Sequence, residues 1–143
     1  MKKLEGRLSA SNKDTTKSSV NEDFTPLPSV VIARGAHKYV LISAQPANKI
    51  NDDNISFFVT SKHGAHYHRN AAEPMIDRLE LSGYTNIRVL GGGRISLNDD
   101  ERKISIFGYS YGFGRADHSI SKSVIGADER YKDFDVTWSN EGY

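Results

Sequence analysis

Five histidines and no cysteine set the chemical vocabulary of this 143-residue chain. Three of the histidines, His63, His66 and His68, crowd into S-K-H-G-A-H-Y-H-R-N, Ser61–Asn70. An imidazole titrates near neutral pH, so it can take a proton from water or serve as a neutral metal ligand. His66 and His68 are two apart and would share one face of a strand, within reach of one metal. A zinc site needs a third ligand and usually a fourth. His63 is out of phase with the pair and no carboxylate stands close by, so no metal site is assigned. The plain reading of His66 is a solvated surface imidazole. His68 admits two readings: a structural, hydrogen-bonding histidine at the end of a strand, or a general base. It stands just before a helix start, where unpaired N–H groups and the positive dipole end favour an anion. Arg69 adds a cation next door, and a neutral imidazole there could deprotonate water near pH 7.

A second group lies downstream. V-L-G-G-G-R-I-S, Val89–Ser96, carries an apolar run into three glycines and then Arg94, and G-Y-S follows at Gly108–Ser110. Consecutive glycines cost backbone entropy and are kept where a side chain would be in the way or where φ > 0 is needed. The following cation prepares for an anion. The alternative is a bulge and sharp turn at a crowded sheet edge. No Gly-Lys-Ser/Thr follows, so this is not a nucleotide phosphate loop. Two other short matches are read as chance. Lys62-His63-Gly64 resembles the Arg-His-Gly of the phosphoglycerate-mutase-like phosphatases, but has lysine for arginine and too little chain for that fold. Asp133-Phe134-Asp135-Val136-Thr137 fits Asp-x-Asp-x-Thr, but lies at the C-terminal end without an apolar strand before it. It reads as an edge strand with its charges facing water.

Positioning these groups requires one domain, which the chain length allows with a real core. Nineteen basic and eighteen acidic residues leave a net charge of +1, which gives no general reason to expect nucleic acid or an anionic membrane. The lack of cysteine excludes disulfides, thiolate zinc sites and cysteine nucleophiles, and fits a reducing, cytoplasmic setting. No apolar run is long enough to cross a bilayer and no apolar signal region is present. Residues 1–24, rich in Ser, Thr and mixed charge, read as a disordered tail. The folded domain is expected over 25–143.

Within it the pattern predicts strands at Ser29–Ala33 and Lys38–Ala44, joined as a hairpin at Arg34-Gly35, and a central strand at Ile55–Thr60. Gln45–Asn54 reads as a polar loop. A helix follows over Ala72–Leu81, with Ala72, Met75, Ile76 and Leu79 as its buried stripe. Asn70 or a neighbour caps it, Pro74 falls in its first turn and Gly83 ends it. Thr85–Leu90 is a strand running into the glycines, and Lys103–Tyr109 another after a tight polar turn. Ser110–Arg115 is a loop. Asp117 starts a second helix to about Asp128, with Ile120 and Val124 on one face. Asp133–Ser139 is the last strand. The order β-β-β-α-β-β-α-β makes an α/β domain of the α+β type, a mixed sheet with helices on one or both faces.

Six segments in order resemble the small phosphohistidine phosphatase, or Janus, family. They are H-K-Y-V-L-I (His37–Ile42), A-H-Y-H (Ala65–His68), L-G-G-G-R-I-S (Leu90–Ser96), I-F-G-Y-S (Ile106–Ser110), A-D-H-S-I-S (Ala116–Ser121) and V-T-W-S-N-E-G-Y (Val136–Tyr143). The resemblance implies a mixed sheet of about six strands between two helices. It implies a monomeric, metal- and cofactor-free hydrolase acting on phosphohistidine-containing proteins. By matching motif, His68 would be the catalytic base, Lys38 would bind phosphate, and Ser110 with the backbone of Tyr111 and Gly112 would hold phosphate oxygens. Gly91–Gly93 and Arg94 would shape the floor; Arg69 is no part of the matching motif and is a candidate for phosphate binding only through its charge beside His68.

The chain departs from the family pattern in having Tyr111-Gly112 for Met-Ala, Arg69-Asn70 for Ala-Asp, Thr60 for a basic residue, and one extra residue between His68 and the glycines. These bear on the helix start and on substrate choice. A phosphoramidate needs little beyond placement, a base and charge neutralisation. A phospho-His68 intermediate is the competing route. Two non-hydrolytic readings stand beside the enzyme: a phosphohistidine-binding module of the same fold, and a nucleic-acid platform of Tyr109, Tyr111 and Phe113. The second is disfavoured by the near-neutral charge, those aromatics being expected to pack the core and line the pocket.

Overall fold

The structure is a computed structural model, and it describes residues 27–46 and 54–141. The expected tail and most of the expected 45–54 loop lie outside the described residues. The described residues form one six-stranded sheet with a helix on each face. The strands are β1 (Val30–Val31), β2 (Gly35–Gln45), β3 (Ser56–Ser61), β4 (Thr85–Asn98), β5 (Lys103–Phe107) and β6 (Asp135–Trp138). Helix α1 (His68–Leu81) lies between β3 and β4, and α2 (His118–Gly126) between β5 and β6, followed by a 3₁₀ turn at Glu129–Tyr131. Spatial order is β1-β3-β2-β4-β5-β6. The element order and the α+β class agree with the sequence pattern.

The expected β1–β2 hairpin does not form. β1 instead pairs in parallel with β3, outside it, while β3 pairs antiparallel with β2. β1 is pinned by Val59 N–H donating to Ser29 O (2.8 Å), Ala33 N–H to Ser61 Oγ (2.9 Å) and the Arg130 guanidinium to Val30 O (2.6 Å). Only two residues long, it leaves β2 free to take β3 on one side and β4 on the other. β6 closes the far edge with Asp135 exposed, as read for the Asp-x-Asp-x-Thr segment.

Side chains alternate across a strand, so each strand feeds both faces. Val40, Ile42 and Ala44 join Phe58, Ala72, Met75 and Leu79 under α1. Tyr39 and Leu41 join Ile95, Ile104, Ile106 and Ile125 under α2. The predicted α1 stripe is found, with Ala72, Met75 and Leu79 buried and Ile76 partly so. The helix starts a turn earlier than expected, at His68 with Tyr67 as N-cap, so Pro74 falls in the second turn rather than the first. Asn70 serves the cap in reverse, its Oδ1 accepting from Tyr67 N–H at 3.1 Å. Gly83 ends the helix with φ of 84°. Asp117 caps α2, its carboxylate accepting from the N–H groups of Ser119 and Ile120.

The glycines do not make a turn. β4 runs straight through them, paired with β2 across all three, and is central rather than at an edge. A bulge does occur: Leu41 faces Gly91 and Ile42 faces Val89, so Leu90 has no partner. One extra residue flips the alternation. Ile87 and Val89 pack under α1, whereas Ile95 and Leu97 pack under α2. The bulge thereby brings Gly92 and Arg94 onto the α1 face.

Candidate active site

A cavity of about 470 Å³ opens on the α1 face. Lys38 reaches it from β2, and Tyr67, His68 and Arg69 from the start of α1. Ser110, Tyr111, Gly112 and Phe113 form the opposite wall, and His66 also borders it. Seven residues were singled out from sequence: Lys38, His68, Arg69, Arg94, Ser110, Tyr111 and Gly112. All but Arg94 line this one cavity. Arg94 stands directly opposite Lys38 across the β2–β4 ladder, on the same face.

His68 is where it is because of the glycines. It occupies the first position of α1, at the head of the stripe that continues through Ala72, Met75 and Leu79, and is only 7% exposed. A Cβ on Gly92 would stand 2.6 Å from Tyr39 O and 2.8 Å from His68 Cδ2, so any side chain there would displace the imidazole. His68 Nε2 is 2.9 Å from Gly93 O. A carbonyl only accepts, so Nε2 carries the hydrogen and Nδ1 keeps the lone pair. Burial pushes the His68 pKa down from its ordinary value; the Gly93 carbonyl opposes this, while Lys38 and Arg94 add to it. The imidazole is thus held neutral with one fixed tautomer.

The other wall is a closed turn. Gly114 N–H donates to Ser110 O (2.8 Å) and Ser110 N–H to Gly114 O (3.1 Å). Gly92 N–H donates to Gly114 O and Ala116 N–H to Gly92 O, each at 3.0 Å, which fastens the turn to β4 beside His68. Ser110 is buried, and its Oγ accepts from Phe113 N–H at 3.1 Å, leaving its own proton to donate. No acceptor among the described residues meets the Tyr111 or Gly112 N–H. At the α1 end, the first-turn N–H groups of His68 and Arg69 have no partner within the helix.

Charge completes the arrangement. Like charges placed directly opposite on adjacent strands repel, yet Lys38 and Arg94 are so placed, and no carboxylate pairs with either among the described residues. Cations, free N–H groups and a hydroxyl around a neutral imidazole suit a phosphate-sized anion beside a base. No group of three or more His, Asp or Glu side chains with ligand geometry occurs among the described residues. The His66–His68 pair does not share a strand face: His66 lies in the loop before α1 and His68 on the helix.

Sequence reasoning missed a second histidine. His118 is 1% exposed at the start of α2. Its Nε2–H donates to Gly108 O (2.9 Å), its Nδ1 accepts from Tyr39 Oη (2.6 Å), and Tyr39 Oη lies 2.9 Å from Ser121 Oγ. Its Cε1 would stand 2.9 Å from a Cβ on Gly93. Adjacent glycines therefore seat one histidine on each face of β4. The signal was legible: His118, Ser121 and Ile125 fall at i, i+3 and i+7, and polar residues on a buried stripe imply a network. Burial lowers the His118 pKa and raises that of Tyr39, so both stay neutral. The aromatics meet the expectation in part: Tyr111 and Phe113 line the cavity, but Tyr111 is 90% exposed and packs in neither apolar cluster.

Comparison with known proteins agrees with this geometry. The Janus/Ocnus family profile matches residues 24–135. The 14 kDa phosphohistidine phosphatase of Sus scrofa is 36% identical over 129 residues, covering 85% of this chain and 96% of that protein. That of Homo sapiens is 35% identical over 129 residues, covering 85% and 97%. The sex-regulated protein janus-A of Drosophila pseudoobscura pseudoobscura is 30% identical over 125 residues, covering 86% and 82%. With the profile spanning most of the chain and relatives matched along nearly their whole length, this chain belongs to the Janus/Ocnus family.

Proposed function

We propose that this protein hydrolyses the P–N bond of phosphohistidine in proteins, with His68 as the general base. One observation carries the reading. A buried imidazole with a fixed tautomer faces an uncompensated Lys38–Arg94 pair and a turn of free N–H donors. The family's 14 kDa phosphohistidine phosphatases of Sus scrofa and Homo sapiens align with 85% of this chain at 36% and 35% identity.

The phosphoryl group sits between Lys38, the Ser110 hydroxyl and the Tyr111 and Gly112 N–H groups, with Arg69 and Arg94 adding positive potential. These donors are held before substrate arrives, so stabilising the charge of the transition state requires little reorganisation. Nδ1 of His68 takes a proton from water. The water oxygen bonds to phosphorus as the P–N bond breaks, and the proton held on His68 passes through solvent to the departing nitrogen, which returns His68 to its neutral form. Protein cations neutralise the phosphate, so the reaction proceeds without a metal. We further place the protein in the cytoplasm, as a monomer; a chain without cysteine suits that reducing compartment. No described helix is long and apolar enough to cross a membrane.

The test is phosphate release from a phosphohistidine peptide in excess EDTA. Sustained turnover supports a metal-free hydrolase. Tight binding of the peptide by folded protein without release would instead make the chain a phosphohistidine-binding module.

A further inference from the structure

Tyr111 exposes 90% of its surface, Tyr67 60% and Phe113 39%. Tyr111, left so open in water, adds little to the fold, and clustered exposed aromatic surface marks a place of contact. All three border the cavity whose inner groups are His68, Lys38 and Ser110. Tyr67 stands on one wall as the N-cap of α1, while Tyr111 and Phe113 stand on the other, in the Ser110–Gly114 turn. The Arg69 guanidinium lies 4.9 Å from the Tyr67 ring centroid, covering one face and steadying it. Tyr111 has no ring or cation partner among the described residues.

With water attacking in line from the side of the buried His68, the leaving group departs on the opposite, outer side, toward this rim. In phosphohistidine that group is a flat imidazole; in phospholysine it is a flexible alkyl amine. We propose that Tyr111, with Phe113 and Tyr67 beside it, stacks on the substrate imidazole and so selects phosphohistidine over phospholysine. This rests on the hydrolase reading above and adds the determinant of its leaving-group choice. A ring face meets a planar imidazole over its whole area and an alkyl chain only along a line. If the departing imidazole is protonated, the same faces attract the cation.

The test uses the full chain and three substrates: a phosphohistidine peptide, the same peptide with phospholysine, and phosphoramidate ion, which has the P–N bond and no side chain. Tyr111→Leu removes the ring while keeping bulk, and Tyr111→Phe keeps the ring. In Tyr111→Leu, kcat/KM on the phosphohistidine peptide falls about tenfold, chiefly through KM, and its ratio to the other two substrates falls with it. Tyr111→Phe stays within about twofold of wild type on that ratio, since the ring is what stacks. Equal losses on all three substrates would show that Tyr111 only shapes the phosphate cradle and would overturn the proposal, as would no loss on any. A wild type that releases nothing would defeat the hydrolase reading instead. The rim is then decided by calorimetry with the phosphohistidine peptide and inorganic phosphate. About tenfold weaker binding of the peptide alone by Tyr111→Leu supports it, and unchanged binding overturns it.

Discussion

A buried histidine beside two unpaired cations has a sign that can be followed through pH. Burial, Lys38 and Arg94 together hold the His68 pKa below its ordinary value. A base works when unprotonated, so activity persists through neutral pH and is lost only as pH falls past that depressed pKa. Replacing Lys38 by Met removes one opposing charge, so the acid limb of kcat/KM moves to higher pH. The same change weakens phosphate binding, and we expect KM to rise about tenfold, the loss of one charge-assisted contact. A pH–rate series on Lys38→Met checks both. Gly92 tests the steric half of the argument. Gly92→Ala places a Cβ 2.6 Å from Tyr39 O and 2.8 Å from His68 Cδ2, so we expect a loss of about 1–3 kcal/mol from overpacking. Denaturant unfolding would measure it. His68 could be suspected from sequence because its neighbours are cationic, but its tautomer could not, because that depends on the carbonyl of Gly93, twenty-five residues away.

The elements show why some positions were legible and others not. Helix α1 could be read from its apolar stripe, but its start could not, because the first buried position of that stripe is a histidine rather than an apolar residue. Helix α2 was announced by Asp117, a strong N-cap whose carboxylate accepts from the Ser119 and Ile120 N–H groups. Asp117→Ala is expected to cost about 1 kcal/mol, the usual loss for an N-cap, visible as a lower thermal midpoint. The residue pattern ends strand β4 at Leu90, because glycines argue against strand propensity, whereas the strand continues to Asn98. Tertiary packing wins there: two histidines and the Ser110–Gly114 turn crowd the sheet, and only hydrogen side chains allow it. The bulge at Leu90, which moves Arg94 to the α1 face, leaves no local mark beyond the glycines themselves. The misplaced β1 has the same origin, since its parallel partner β3 lies beyond β2 in sequence and local turn chemistry at Gly35 points to β2 instead.

For the whole molecule, both buried histidines tie folding to pH in one direction. Their pKa values are lowered in the fold, so the unfolded chain binds more protons below the ordinary histidine value of about 6.5. Their contribution to stability is full above that pH and declines as pH falls from it toward the depressed values. Thermal midpoints measured from pH 8 to 5 are expected to drop across that window, and the drop is expected to shrink in His118→Gln, which keeps a hydrogen-bonding side chain but cannot titrate. The fold thus places one neutral histidine on each face of a glycine strip, and of these two His68 is the one that meets the cavity. The most direct test of the account is kcat/KM against pH on a phosphohistidine peptide, wild type beside His68→Ala, each confirmed folded. The account predicts an acid limb below the ordinary histidine pKa in the wild type, and in His68→Ala a loss of at least about 100-fold, the usual cost of a missing general base, with that limb gone. A His68→Ala variant that keeps the wild-type rate and the same limb would contradict it.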